Sequence, residues 1–238
     1  MKNKKPSLSI YYLSIALTLA VTACKTEEKL PGNVITDVEG NAYKTVNVAG
    51  RTWMAENLRT TKYTDGTPLH LTINKSDWFY NEIPAYSWYK NDSVKNGKPY
   101  GVLYNWYAIN YSTNGNKYVC PTGWHVPTDV EWKSLVNYLG GQLIAGAKLK
   151  MKDTIYWNTP NKFATDSVGF HIVANGIRNA LGDFMGMRYI TNFWCSNEES
   201  DNHGWDYGMY HNSNIIVKFA NLKVNGYSVR CIKDEVEP

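Results

Sequence analysis

The sequence predicts an α+β domain built from a small twisted antiparallel sheet, one main helix and long loops. Three observations carry that expectation. Short β-rich runs between residues 34 and 54 are separated by Gly-containing turns, the pattern of a meander. One segment, residues 129–139, combines an apolar stripe at helical spacing with a start and a stop signal. Elsewhere Asn, Gly and Pro punctuate the chain too often for long periodic elements.

The first element is not part of that domain. Lys2, Lys4 and Lys5 form a basic start, and Ile10 to Ala20 is mostly apolar. A run of that length falls short of the roughly 20 apolar residues that span a bilayer, and it has the order of a signal-peptide core. Val21-Thr22-Ala23-Cys24 comes next and resembles the lipobox of bacterial lipoproteins. The resemblance implies that residues 1–23 are a cleaved leader and that Cys24 carries acyl chains. The membrane is then a partner through that anchor alone. Residues 24–33 read as a lipidated tether, polar and without apolar periodicity, able to reach at most about 35 Å. Its Lys25-Thr26-Glu27-Glu28-Lys29 resembles the acidic stretch that sends some Bacteroidetes lipoproteins to the cell surface. The expected location is therefore the outer membrane, lipid-anchored and facing outward.

From residue 34 the meander begins: Val34 to Val38, Tyr43 to Val48 and Arg51 to Met54, with Glu39-Gly40-Asn41 and Ala49-Gly50 between them. Asn57 to Lys98 is turn-rich, punctuated by Asp65-Gly66, Thr67-Pro68, Ile83-Pro84 and Asn96-Gly97. In Gly101 to Asn110, Leu103, Trp106 and Tyr107 have helical spacing, which predicts a short buried helix. The main helix starts at Thr128, which with Glu131 forms a capping box. Trp132, Leu135, Val136 and Leu139 make its apolar stripe, and Gly140-Gly141 ends it. Ala145 to Lys152 is a second, shorter helical candidate. Beyond Trp157 the chain returns to short strands and Asn/Gly turns.

Charge and motifs narrow the function. The formal charge is +4, and loss of the three leader lysines leaves +1, with no basic block to suit nucleic acid. No P-loop, Gly-x-Ser-x-Gly elbow or dinucleotide fingerprint occurs, so nothing supplies a reaction, and no enzyme is expected. The five histidines contain no close pair, and His203 with His211 is a weak zinc signal. With Cys24 on lipid, Cys120, Cys195 and Cys231 remain: export permits one disulfide and leaves one thiol over.

Four phrases carry a family resemblance. Tyr43–Thr60 (YKTVNVAGRTWMAENLRT), Tyr100–Ile109 (YGVLYNWYAI), Cys120–Trp132 (CPTGWHVPTDVEW) and Gly226–Asp234 (GYSVRCIKD) resemble the Fibrobacter succinogenes major paralogous domain, over roughly residues 34–234. That domain is common in lipoproteins and secreted proteins of Bacteroidetes and Fibrobacteres. More distantly, Val126 to Trp132 and the terminal Gly-Tyr-Ser-Val-Arg-Cys look like phrases of formylglycine-generating-enzyme-like domains, which have a C-type-lectin-like fold. That likeness implies a C-type-lectin-like architecture whose terminal segments meet, and hence a pairing of Cys120 with Cys231. Closing such a loop stabilises by about 4–5 kcal/mol in the chain-entropy model. Enzymes of that kind bind copper through cysteine thiols. Here only Cys195 is spare, so that chemistry is not expected.

A ligand-presenting fold without a reaction implies a binding or adhesion module for a glycan or a surface protein, with a structural envelope component as the alternative. Asn197 to Asp206 concentrates carboxylates and amides, so Asn197, Glu198 and Asp206 are candidate ligand contacts. The segment could also hold Ca²⁺, although a solvated acidic loop is the preferred reading and no cofactor is expected. Trp194, Trp205, Tyr207 and Tyr210 flank it as candidate platforms for sugar rings. Against that stands the aromatic content of 14%, which an aromatic core would itself absorb.

Overall fold

The structure, a computed structural model, describes residue 1 and residues 34–235. The expected leader, Cys24 and the expected tether lie outside the described residues.

Strands β1 (Val34–Thr36), β2 (Ala42–Val48) and β3 (Arg51–Met54) form the expected meander. The first turn is organised by the Asp37 carboxylate, which accepts the backbone N–H groups of Glu39 and Asn41 and the Tyr43 hydroxyl. The second is a two-residue hairpin in which both Ala49 (φ 57°) and Gly50 (φ 76°) are left-handed, the geometry that matches strand twist. The chain continues through β4 (His70–Leu71), α1 (Lys75–Trp78), β5 (Ala85–Ser87), α2 (Ser93–Tyr100), β6 (Leu103–Tyr104) and α3 (Trp106–Ile109). Then come β7 (Trp124–His125), α4 (Asp129–Tyr138), α5 (Gln142–Leu149), β8 (Asn175–Arg178) and β9 (Phe184–Met187). The last elements are β10 (Ile190–Glu198), β11 (His203–Tyr210), β12 (Ile216–Leu222) and β13 (Ile232–Lys233).

The class is α+β, and the strands of the described residues divide among four sheets rather than the single expected one. The largest has the order β1-β2-β3-β13-β7, all antiparallel; β10-β11-β12 form a second meander. β4-β5-β6 form a third, with a parallel β4–β5 pair, and β8–β9 is a hairpin. The C-terminal strand β13 is inserted between β3 and β7, with Ile232 opposite both Trp53 and His125. That placement brings the chain end beside the segment before α4, and a disulfide joins Cys120 to Cys231 there, with Cα atoms 5.9 Å apart.

α4 has the capping box that its sequence predicts. The Thr128 hydroxyl accepts the Glu131 N–H at 3.2 Å, and the Glu131 carboxylate accepts the Thr128 N–H at 2.8 Å. Its stripe buries Trp132, Leu135, Val136 and Leu139. The predicted helix over 101–110 is reduced to the single turn α3. Leu103 and Tyr104 are taken into β6 by pairing with β5, and the Asn105 side chain caps α3 by accepting the Ala108 N–H. The helix proposed at 145–152 runs earlier, from Gln142 to Leu149.

Two aromatic-rich cores result. One packs Tyr43, Met54, Tyr104, Trp106, Trp194 and Tyr227 around the disulfide. The other packs Trp53, Trp132, Trp157, Phe170, Phe193 and Tyr207 between α4, α5 and the β10–β12 sheet.

Candidate functional site

The seven residues proposed from the 194–210 segment are not brought together. Trp194 is fully buried: its indole N–H donates to the Tyr104 carbonyl at 2.8 Å, and its ring lies 4.4 Å from that of Tyr227. Tyr207 is also buried, stacked on Trp132 at 5.5 Å. Both face inward because β10 and β11 are covered by core, so neither ring offers a platform to solvent, and the expectation for them is corrected.

Asp206 is buried as well. Its two oxygens accept the side-chain amides of Asn192 (2.6 Å) and Asn221 (2.8 Å), and burial pushes its carboxyl up to about 7. Asn197 braces α4 by exchanging hydrogen bonds with Asp129, and Glu198 pairs with the Lys223 ammonium at 2.5 Å. Trp205 is half-buried under the Lys218 ammonium, 3.6 Å from its ring centre. Tyr210 stays 41% exposed, away from the buried pair. Two of the segment's carboxylates, Glu198 and Asp206, are thus tied to separate partners, and among the described residues no three His, Cys, Asp or Glu side chains gather to hold a metal. Cys195 is a buried free thiol, its pKa driven up by burial.

A different region has the geometry of a site. Two cavities, of about 840 and 460 Å³, share a wall formed by Lys44, Glu56 and Lys98. The larger opens between the β1–β2 turn and α2, with Trp88 and Ser93 on one side and Glu39 and Arg59 on the other. Trp88 lies close enough to α2 that a Cβ at Gly97 would come within 3.3 Å of its ring. Glu39 is held by the Thr61 N–H and hydroxyl. Burial opposes its ionisation, but these hydrogen bonds outweigh that effect and its pKa is lowered. The Arg59 guanidinium sits 4.3 Å over the Tyr43 ring.

The smaller cavity is floored by Asn57, Val173 and Arg230 and walled by Met151, Tyr156 and His171. Tyr156 meets Tyr100 edge-on at 5.6 Å. Gly101 lets the chain after α2 approach the Asn57–Leu58 backbone: a Cβ there would lie 2.7 Å from that of Asn57 and 2.8 Å from the Leu58 carbonyl oxygen. Asn57, Ser228, Asn175 and Thr191 continue below as a buried chain of side-chain hydrogen bonds.

Arg230 dominates the electrostatics. Its guanidinium donates to the Asn57 side-chain oxygen at 2.9 Å and to the carbonyls of Met54, Phe170 and His171, and burial lowers its pKa to about 9. Among the described residues no carboxylate touches it: Asp166 is paired with His171, and Glu56 acts on it only from a distance. Two other buried cations are held the same way. Lys150 donates to the carbonyls of Lys162, Tyr210, His211 and Ser213, while Arg178 donates to those of Gly182, Thr72, Ile73 and Asn74. Each serves carbonyls in loops or, for Met54 and Tyr210, at the last residue of a strand. Arg230 alone of the three lines either cavity.

Nothing in the aromatic count separates Trp88 and Tyr156 from the buried rings. The sequence signal for the cavity is Arg230 itself, a charge inside the apolar run Val229-Arg230-Cys231-Ile232, with Asn57 as its counterpart in Met54-Ala55-Glu56-Asn57-Leu58.

No curated protein and no solved structure gives a significant match to the chain. Residues 46–233 match the family described as the Fibrobacter succinogenes major domain, a span that contains β3 to β13, the disulfide and Arg230. The chain belongs to the Fibrobacter succinogenes major domain family.

Proposed function

We propose that the protein is a lipid-anchored, outward-facing component of the outer membrane. Its C-type-lectin-like domain is a non-catalytic binding module for a glycan or a surface protein, and the paired cavities take the ligand. The observation that carries the reading is the shared wall of Lys44, Glu56 and Lys98, which makes one groove large enough for several sugar or peptide units. Trp88 and Tyr156 supply aromatic faces along it, and both signs of charge are within reach of a polar ligand. The lectin-like reading of the fold draws support from the pairing of β13 with β3 of the first meander, the adjoining disulfide and the capped α4 beside a small sheet. The anchor rests on the lipobox at Cys24.

The test is a glycan-array screen, with a pull-down of surface proteins, on the full-length protein and on Ser93→Trp. Ser93 is exposed at the first turn of α2 and lines the groove, so an indole there blocks the mouth while leaving the core alone. Ligand capture by the wild type and its loss in Ser93→Trp is the expected result. Equal capture by both, or none by either, would sink the reading.

A structural envelope role has one observation in its favour. Phe79, Tyr80 and Ile83 are each more than half exposed in one short stretch, and Phe79 and Tyr80 are in edge contact at 5.0 Å.

A further inference from the structure

The geometry points to the smaller cavity as a subsite for a carboxylate-bearing sugar, a uronic acid within an oligosaccharide. This rests on the binding reading above and adds the ligand's charge and the residues that select it.

Three observations converge. The first is the state of Arg230. A guanidinium has five N–H groups, and four of those on Arg230 are used: one from Nε to Asn57, two from Nη1 to Met54 and Phe170, and one from Nη2 to His171. The second Nη2 hydrogen has no acceptor among the described residues, on a side chain only 1% exposed that lines the cavity. Arg178 also leaves one N–H unused, but only Arg230 of the two lines a cavity, so its charge faces a space that a ligand can enter.

The second is the balance around it. Lys44, Arg59, Lys98 and Arg230 line the two cavities against only Glu39 and Glu56. Both carboxylates already accept backbone N–H groups, Glu39 from Thr61 and Glu56 from Lys44, while Lys44 and Lys98 are exposed at the shared wall. The excess is positive, and it is divided between the shared wall and Arg230 on the floor of the smaller cavity.

The third is the wall opposite. Tyr156, braced edge-on by Tyr100, faces the same space as Arg230. An aromatic face beside a cation is what a uronate ring requires: its C–H face stacks while its carboxylate is neutralised. The larger cavity beyond Lys98 then receives the neighbouring residues of the oligosaccharide.

The experiment uses the full-length protein in detergent, titrated calorimetrically with oligogalacturonate and hyaluronan oligomers and with their methyl esters, which keep the sugar rings and lose the charge. The acids are expected to bind and the esters to bind at least tenfold more weakly, with the acids' affinity falling as salt rises. Lys98→Glu, at an exposed position, should lower acid binding at least tenfold with an unchanged melting temperature, and Tyr156→Ala should weaken acid and ester alike. Esters that bind as well as acids, or acids that do not bind, would overturn the inference. In either case, a different ligand caught by the wild type and lost in Ser93→Trp leaves the binding module standing without the uronate subsite.

Discussion

Asp206 shows what a single residue can hide. In the sequence it belongs to an acidic, solvated stretch; in the fold it is a buried carboxyl between two asparagine amides. Its pKa stands near 7 in the folded state, against an ordinary value of 3.8, because burial penalises the charged form. Between about pH 4 and pH 7 the native state therefore holds a proton that the unfolded chain releases, and stability drains away as pH rises through that window. Asp206→Asn imitates the neutral form. In urea denaturation it should match the wild type near pH 4 and exceed it at pH 8 by about 2–4 kcal/mol. A difference that stays flat from pH 4 to pH 8 would refute the assignment. The caged cations Lys150, Arg178 and Arg230 make the complementary point. They let loops pass through the interior by giving isolated carbonyls a charged donor, and nothing in the local sequence announces which carbonyls will converge.

At the scale of elements, α4 was legible because its signals are all local. Thr128 and Glu131 satisfy each other's backbone groups, and the stripe needs only the 3.6-residue period. Glu131 is also bonded by His125 and Arg51. Burial works against its ionisation, but the His125 contact and the Thr128 N–H prevail and hold its pKa down at about 2. A carboxylate depressed in this way contributes stability above the ordinary value near 4.5, and the contribution is lost as pH falls from there toward 2. Thr128→Ala should cost about 1 kcal/mol at neutral pH, read from the urea midpoint, and a cost below a few tenths would show that the cap is redundant. The 101–110 helix misled for the opposite reason. Leu103 has helical spacing to Trp106 and Tyr107, but strand β5 offers Leu103 and Tyr104 ladder bonds that spacing does not encode. The division into four sheets escaped the sequence likewise, since each register depends on a partner far along the chain.

For the molecule as a whole, the Cys120–Cys231 bond spans 111 residues and sits where β13 closes the largest sheet. Its removal in a Cys120→Ser/Cys231→Ser double variant should cost about 4 kcal/mol in the chain-entropy model and lower the melting temperature by about 8–16 °C. An unchanged melting temperature would mean that the bond does not restrict the unfolded chain as that model requires. The pairing came from the family resemblance; cysteine counting alone left three pairings open.

By itself the sequence determined the capped helix, the aromatic excess and the family, because each is written in neighbouring residues or in phrases of fixed order. Tertiary structure decided which aromatics are core and which line a groove. On a strand, the face a side chain takes depends on register against a distant partner. Trp194 and Tyr207 were thereby turned inward, while Trp88 and Tyr156 were left at the walls of a cavity. The same folding step carried Arg230, an ordinary charge in the sequence, to a cavity floor where no carboxylate meets it.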